Sequence, residues 1–158
     1  MRLSSVDRLA RHSQREGAPN RKLTAPYVLL VEDDRTVRTL LAVGLEALGC
    51  RIVTADNGEE ALRVLQAKPS VDVVVTEAAL PGMDGLELLC SIRRTDGLEQ
   101  LPVILCSAFI DEVMMKKAVA CRCGRYLLKP VSPDFLFEQI RSLMQQRGPH
   151  RMTGHERA

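Results

Sequence analysis

A parallel α/β sheet of five strands, covered by helices on both faces, is the fold class that this sequence predicts. Short apolar runs recur five times along the chain, with the length and uniform character of strands buried on both sides. Between them lie stretches with the apolar spacing of amphipathic helices, several opened by a Ser, Asp or Asn cap. The connections are short, so consecutive units must stack as right-handed crossovers into a doubly wound layer structure.

Taken in order, the first strand is YVLLV, beginning at Tyr27. Val37, Leu40, Leu41, Leu45 and Leu48 then form one helical stripe, and Gly49 ends it. RIVTA is the second strand. DNGEEALRVLQ is a helix capped by Asn57, with Glu60 reaching back and Pro69 as the stop. VDVVV is the third strand, and DGLELLCSIRR repeats the capping pattern with Asp84 and Glu87. PVILCSA enters the fourth strand through a proline, which a strand's first position tolerates. DEVMMKKAVAC is the fourth helix and RYLLK the fifth strand. The last helix, SPDFLFEQIRSLMQQ, has Ser132 as cap, Pro133 in its first turn and Asp134 against the helix dipole.

These elements fill residues 27–146 of the 158 and leave no room for a second domain within them. Residues 1–26 read as a basic extension, disordered in the free protein, with Arg2, Arg8, Arg11, Arg15, Arg21 and Lys22 against Asp7 and Glu16. Residues 147–158 read as a flexible tail, too short for a helix-turn-helix, and a formal charge of +2 does not argue for nucleic acid. No apolar stretch is long enough to span a membrane, and the N-terminus lacks the pattern of a secretory signal. The five cysteines, Cys50, Cys90, Cys106, Cys121 and Cys123, form no regular framework. They are expected as reduced thiols in a cytoplasmic protein.

Chemistry in such sheets collects at the carboxyl ends of the strands, near the point where strand order reverses. Those ends carry Glu32, Asp33 and Asp34 after the first strand, Glu77 at the third, Ser107 at the fourth, and Lys129 with Pro130 at the fifth. Massed carboxylates call for a cation, and oxygen donors of this kind suit Mg²⁺. A lysine and a hydroxyl opposite that cation suit phosphoryl oxygens. Singly, each residue has a plainer role: an acid after a strand caps a helix, a serine sits in a loop, a lysine is solvated. Their meeting at matching strand ends is what carries the reading.

The segments VLLVEDD, PGMDG, VILCSA and YLLKP, in this order and spacing, resemble the response-regulator receiver domain of two-component systems. The resemblance covers residues 27–146 and implies a flavodoxin-like (βα)5 fold. It further implies a phosphoryl group received from a sensor histidine kinase on an aspartate at the end of the third strand. It places Glu32 and Asp33 at the acidic pair that holds Mg²⁺, with Glu77 and the Ala79 carbonyl as further ligands and the metal weakened by the longer Glu77. It places Ser107 at the hydroxyl that reports phosphorylation, Lys129 at the phosphoryl-contacting lysine, and Tyr126 at the aromatic that swings inward on activation. Lys129–Pro130 matches a peptide bond that is cis in the family.

Two departures stand out. Counting back four residues from Pro81 gives Glu77 where the family has its acceptor aspartate. The turn before Tyr126 reads CRCGR, so Arg122 replaces a glycine at a left-handed position, and Gly124 is expected to take over that turn. The extra methylene of Glu77 moves the carboxylate by about 1.5 Å on a fixed backbone, and a misplacement near 1 Å costs on the order of a hundredfold in rate. The longer arm carries its charge toward the place of a phosphoryl group, an imitation that stays partial because one carboxylate has less charge and fewer acceptor oxygens.

The sequence therefore predicts a non-enzymatic, single-domain receiver that acts by protein contact, with normal phosphorylation lost at Glu77. Its expected partners are a sensor kinase or another signalling protein, or a second copy through the face of the fourth helix, fifth strand and last helix. Two alternatives stay open: slow conventional phosphorylation of Glu77, and a Mg²⁺-dependent phosphohydrolase. The second is disfavoured because apolar residues follow Glu77 where a nucleophile-plus-acid pair would be needed.

Overall fold

The computed structural model describes residues 24–68 and 70–147. The expectations for residues 1–23, for Pro69 as a helix stop and for the tail from residue 148 onward lie outside the described residues. Ten elements alternate: β1 (Tyr27–Val31), α1 (Arg35–Ala47), β2 (Arg51–Ala55), α2 (Gly58–Ala67) and β3 (Val73–Glu77), followed by α3 (Gly85–Arg93), β4 (Val103–Ser107), α4 (Glu112–Ala120), β5 (Arg125–Leu128) and α5 (Pro133–Gln146). The five strands form one wholly parallel sheet in the order β2-β1-β3-β4-β5. This is the doubly wound, flavodoxin-like arrangement that the sequence predicts, with strand order reversing between β1 and β3.

Alternation along the central strands sorts side chains to two cores. Leu29, Val31, Val74, Val103 and Leu105 meet Ala61 and Leu65 of α2, Leu88, Leu89 and Ile92 of α3, and Ala118 of α4. Val28, Leu30, Val75, Ile104 and Cys106 meet Leu41 and Leu45 of α1 and Leu136, Ile140 and Leu143 of α5. Every residue of β3 and β4 is buried, which accounts for the continuous apolar runs in the sequence.

Helix starts follow the capping chemistry closely. Asp84 accepts from the Glu87 amide while the Glu87 carboxylate accepts from the Asp84 amide. Ser132 accepts from Phe135, with Pro133 in the first turn of α5. Asn57 caps α2, but the Glu60 carboxylate reaches one residue further, to the Asp56 amide, rather than to the cap itself.

Four expectations need correction. Leu40 is 65% exposed and lies off the buried stripe of α1, because Leu41 and Leu45, one turn apart, already face the sheet. Pro26, assigned to the extension, is buried and accepts the Arg51 amide, so edge pairing begins one residue before β1. Arg122 itself adopts the left-handed conformation with φ of 54°, and Gly124 does not take over the turn. The Arg93 guanidinium makes this tolerable by donating to the carbonyls of Arg122, Cys121 and Leu101 at 2.8, 3.0 and 2.7 Å. Finally, the cysteines are not all reduced: Cys90 of α3 and Cys121 at the end of α4 form a disulfide, with Cα atoms 5.6 Å apart. Spacing along the chain could not show that α3 and α4 bring these two residues side by side.

Candidate functional site

The carboxyl ends of β1, β3, β4 and β5 form one rim, and backbone pairing sets its geometry. Glu77 lies in register with Cys106 and Ser107 with Leu128, so the last residues of β3 and β4 sit close to the Lys129 that follows β5. The Lys129 amide also donates to the Ser107 carbonyl at 2.8 Å. The Lys129–Pro130 peptide bond is cis. On the other side, the Ala78 amide donates to the Cys106 carbonyl at 2.7 Å, and Gly85 at the start of α3 lies directly against the Glu77 carbonyl. A Cβ at Gly85 would overlap that carbonyl, so only glycine lets α3 start this close to the rim.

Three side chains meet at the centre. The Lys129 ammonium donates to Glu32 Oε2 at 2.8 Å and to Glu77 Oε2 in a shorter contact. Both carboxylates are buried, and each uses its second oxygen on a backbone amide: Glu77 Oε1 accepts from Ala79 at 3.0 Å and Glu32 Oε1 from Asp34 at 3.2 Å. Every oxygen of the two acids therefore has a partner, which is the condition for burying carboxylates without large cost. Burial opposes the charge on Lys129, but its hydrogen bonds to Glu32 and Glu77 outweigh burial and hold its pKa above the ordinary lysine value. The neighbouring Cys106 thiol is pushed up to about 12, first by burial and then by the Glu77 charge.

The remaining residues read from the sequence fall differently. Asp33 follows β1 at the same rim but is exposed, while Asp34 caps α1 by accepting from Val37 at 2.9 Å. Ser107 is buried, and its hydroxyl donates to the Phe109 carbonyl at 2.7 Å. The Tyr126 ring packs into the core on the α2–α3–α4 face, and its hydroxyl is enclosed without a hydrogen-bond partner. Ala79 acts through its amide, on Glu77.

Sequence reasoning missed Arg38, which donates to the Glu32 carbonyl at 2.6 Å and the Asp33 carbonyl at 3.3 Å and so fixes the turn after β1. A cation in the first turn of a helix, where the dipole disfavours it, was the available signal.

Of the four groups nominated for Mg²⁺, the Glu32 and Glu77 carboxylates are engaged with Lys129, while Asp33 and Ala79 are exposed. A magnesium seat needs several unengaged oxygen ligands. Here Lys129 bridges the two buried acids, and each acid's second oxygen is committed to an amide. Among the described residues, no group of three His, Cys, Asp or Glu is placed to hold a metal ion. Nor is any helix among them long and apolar enough to cross a membrane.

An apolar hollow of about 340 Å³ opens beside the triad, lined by Val37, Leu40 and Leu41 of α1 and by Pro130 and Val131.

Comparison with known proteins agrees with this architecture. A family model described as the response regulator receiver domain matches residues 28–141. The transcriptional regulatory protein AfsQ1 of Streptomyces coelicolor is 38% identical over 128 residues, covering 81% of this chain and 55% of that protein. The chain thus spans little more than half the length of that relative. The two-component response regulator ORR5 of Oryza sativa subsp. japonica is 30% identical over 110 residues, covering 70% of this chain and 82% of that protein. The chemotaxis response regulator CheY4 of Vibrio cholerae superposes with a TM-score of 0.70 at 25% identity, covering 76% of this chain and 99% of that one.

Proposed function

This chain belongs to the response regulator receiver family, signalling modules of two-component systems, and from that premise we propose that Glu77 occupies the phosphoacceptor position and replaces normal phosphorylation with a fixed internal ion pair. The receiver unit is residues 27–146. Its output passes by contact to a sensor kinase or another signalling protein, or to a second copy through α4, β5 and α5.

The observation that carries this reading is the engagement of both Glu77 oxygens, one with Lys129 and one with the Ala79 amide. In-line transfer from a phosphohistidine breaks its N–P bond and forms an O–P bond to a carboxylate oxygen that must be free to approach. Neither Glu77 oxygen has that freedom, and the lysine that would receive the phosphoryl oxygens is already neutralised by Glu32 and Glu77. The same acids are withheld from the cation site that receivers generally use, so no step here is routed through Mg²⁺.

The replacement imitates the phosphorylated form only in part. Lys129 is drawn to the acidic group and Tyr126 lies inward, but the Ser107 hydroxyl is spent on Phe109 instead of joining the rim. In the family's terms, Glu77 biases one half of the switch and leaves the other unrecruited.

Incubation of the full chain with acetyl phosphate and Mg²⁺, read by intact mass, tests this. The expected result is no acid-stable, base-labile phosphoryl adduct on the native chain and a clear adduct on Glu77→Asp. Stoichiometric modification of Glu77 would establish conventional relay instead. Failure of Glu77→Asp, with its fold intact by circular dichroism, would remove Glu77 from the acceptor position.

A further inference from the structure

We propose that Cys90 and Cys121 form a thiol–disulfide switch that fixes the C-terminal end of α4 to α3 when oxidised and releases it when reduced. The pair is placed to matter because α4 has little else to hold it. Ala118 is the one buried residue of α4, while Val113 and Val119 are 59% and 70% exposed. Apart from the disulfide, the end of the helix is tied by the Arg93 guanidinium, which donates to the carbonyls of Cys121 and Arg122, and by Arg122, which donates to the Glu99 carbonyl at 3.4 Å. Cys121 leads directly into the left-handed Arg122 and then into β5, which carries Tyr126 and ends beside Lys129. A link at Cys121 therefore constrains both the helix and the turn that feeds the fifth strand.

Pairing and access are both defined. Cys50 and Cys106 are buried in the opposite core, and burial raises their thiol pKa to about 11 and about 12, which keeps them unreactive. Cys123, though close in sequence, directs its sulfur to the Arg125 carbonyl at 2.9 Å. Cys90 and Cys121 are only half-buried, and both line an open groove of about 790 Å³ that Lys117 and Arg94 also border. That opening, which Glu59, Asp84 and Glu87 border as well, admits a small disulfide.

The oxidant is a low-molecular-weight disulfide of the glutathione class. One protein thiolate attacks a sulfur of that disulfide, forming a mixed disulfide and expelling one small thiolate. The second protein thiolate then attacks the mixed disulfide and expels the other. In sum two protein thiols are oxidised to Cys90–Cys121 by two electrons, and one small disulfide is reduced to two thiols, which take up the two protons. Excess small thiol reverses both steps.

The inference does not depend on Glu77, and a negative result for either leaves the other intact. The full chain is equilibrated across glutathione to glutathione-disulfide ratios, alkylated and mapped by mass spectrometry, and amide exchange is measured on its two redox forms. The expected outcome is a Cys90–Cys121 link in oxidising mixtures, with α4 amides exchanging about tenfold slower than in the reduced form and α5 amides within about twofold. Cys90→Ser should exchange like the reduced chain in both conditions. Absence of the link at every ratio, α4 exchange unchanged by it, or equal slowing of α5 would each overturn the switch. Because the two redox forms of the unaltered chain carry the test, a misfolded variant would not blunt it.

Discussion

The helices on either side of β5 are held in different ways. α5 buries Leu136, Ile140 and Leu143 against the sheet and α1, a stripe repeating at helical spacing. α4 buries Ala118 alone and relies on point attachments at its end: the disulfide to α3 and the bonds from Arg93 to the carbonyls of Cys121 and Arg122. Apolar burial is spread over many weak contacts and fails gradually, whereas a point attachment is made or lost as a whole. The helix joined by attachments is therefore the one whose position a chemical event can change, and the helix joined by burial is the fixed reference beside it.

The sharpest way to break this contrast is to truncate one side chain on each helix. Ile140→Ala should destabilise the chain by about 2–5 kcal/mol, since the side chain is fully buried. Val119→Ala, on the exposed surface of α4, should stay within about 0.5 kcal/mol. Urea midpoints would decide it, and equal losses would mean that α4 is as firmly packed as α5.

A second measurement sharpens the comparison through pH. The Cys106 thiol, in the α1–α5 core, is raised from 9.0 to about 12 by burial and by Glu77. Above pH 9 the unfolded chain releases this proton while the folded chain keeps it, so stability is full below about 9 and falls as pH rises toward 12. Lys129 acts in the same direction, because its raised pKa means that the folded chain holds its proton longer. The loss from Cys106 alone is a few kcal/mol, at roughly 1.4 kcal/mol per pKa unit. Urea unfolding of the reduced chain at neutral and strongly alkaline pH measures it; a flat profile would place Cys106 in contact with water.

The smallest effect concerns the side of β5 that faces α4. The Tyr126 hydroxyl is buried without a partner. Tyr126→Phe removes the unpaired group and keeps the ring, so thermal unfolding should show a gain of about 1 kcal/mol. A loss would reveal a hydrogen bond that the hydroxyl makes in solution.

Much of this architecture was legible in the sequence. Five apolar runs gave the strands, and Asn57, Asp84 and Ser132 gave helix starts that the structure reproduces. Glu32, Glu77 and Lys129 could be nominated as neighbours because each ends or follows a strand of one parallel sheet. Less legible was how the site's donors are spent. Asp33 and Asp34 are adjacent, chemically alike and both exposed, yet only Asp34 caps α1. Ser107 sits at the rim with its hydroxyl turned to Phe109, a choice of rotamer that no spacing encodes.

Periodicity and capping chemistry are local properties, written within a few residues, and so the sequence by itself determined the elements, their order and the ends of the strands where polar groups gather. Only the tertiary structure decided which of those groups touch. Lys129 lies 97 residues from Glu32 and 52 from Glu77, and Cys121 lies 31 from Cys90. Contacts over such separations depend on strand order, register and the lean of packed helices, each of which is settled by the whole core at once.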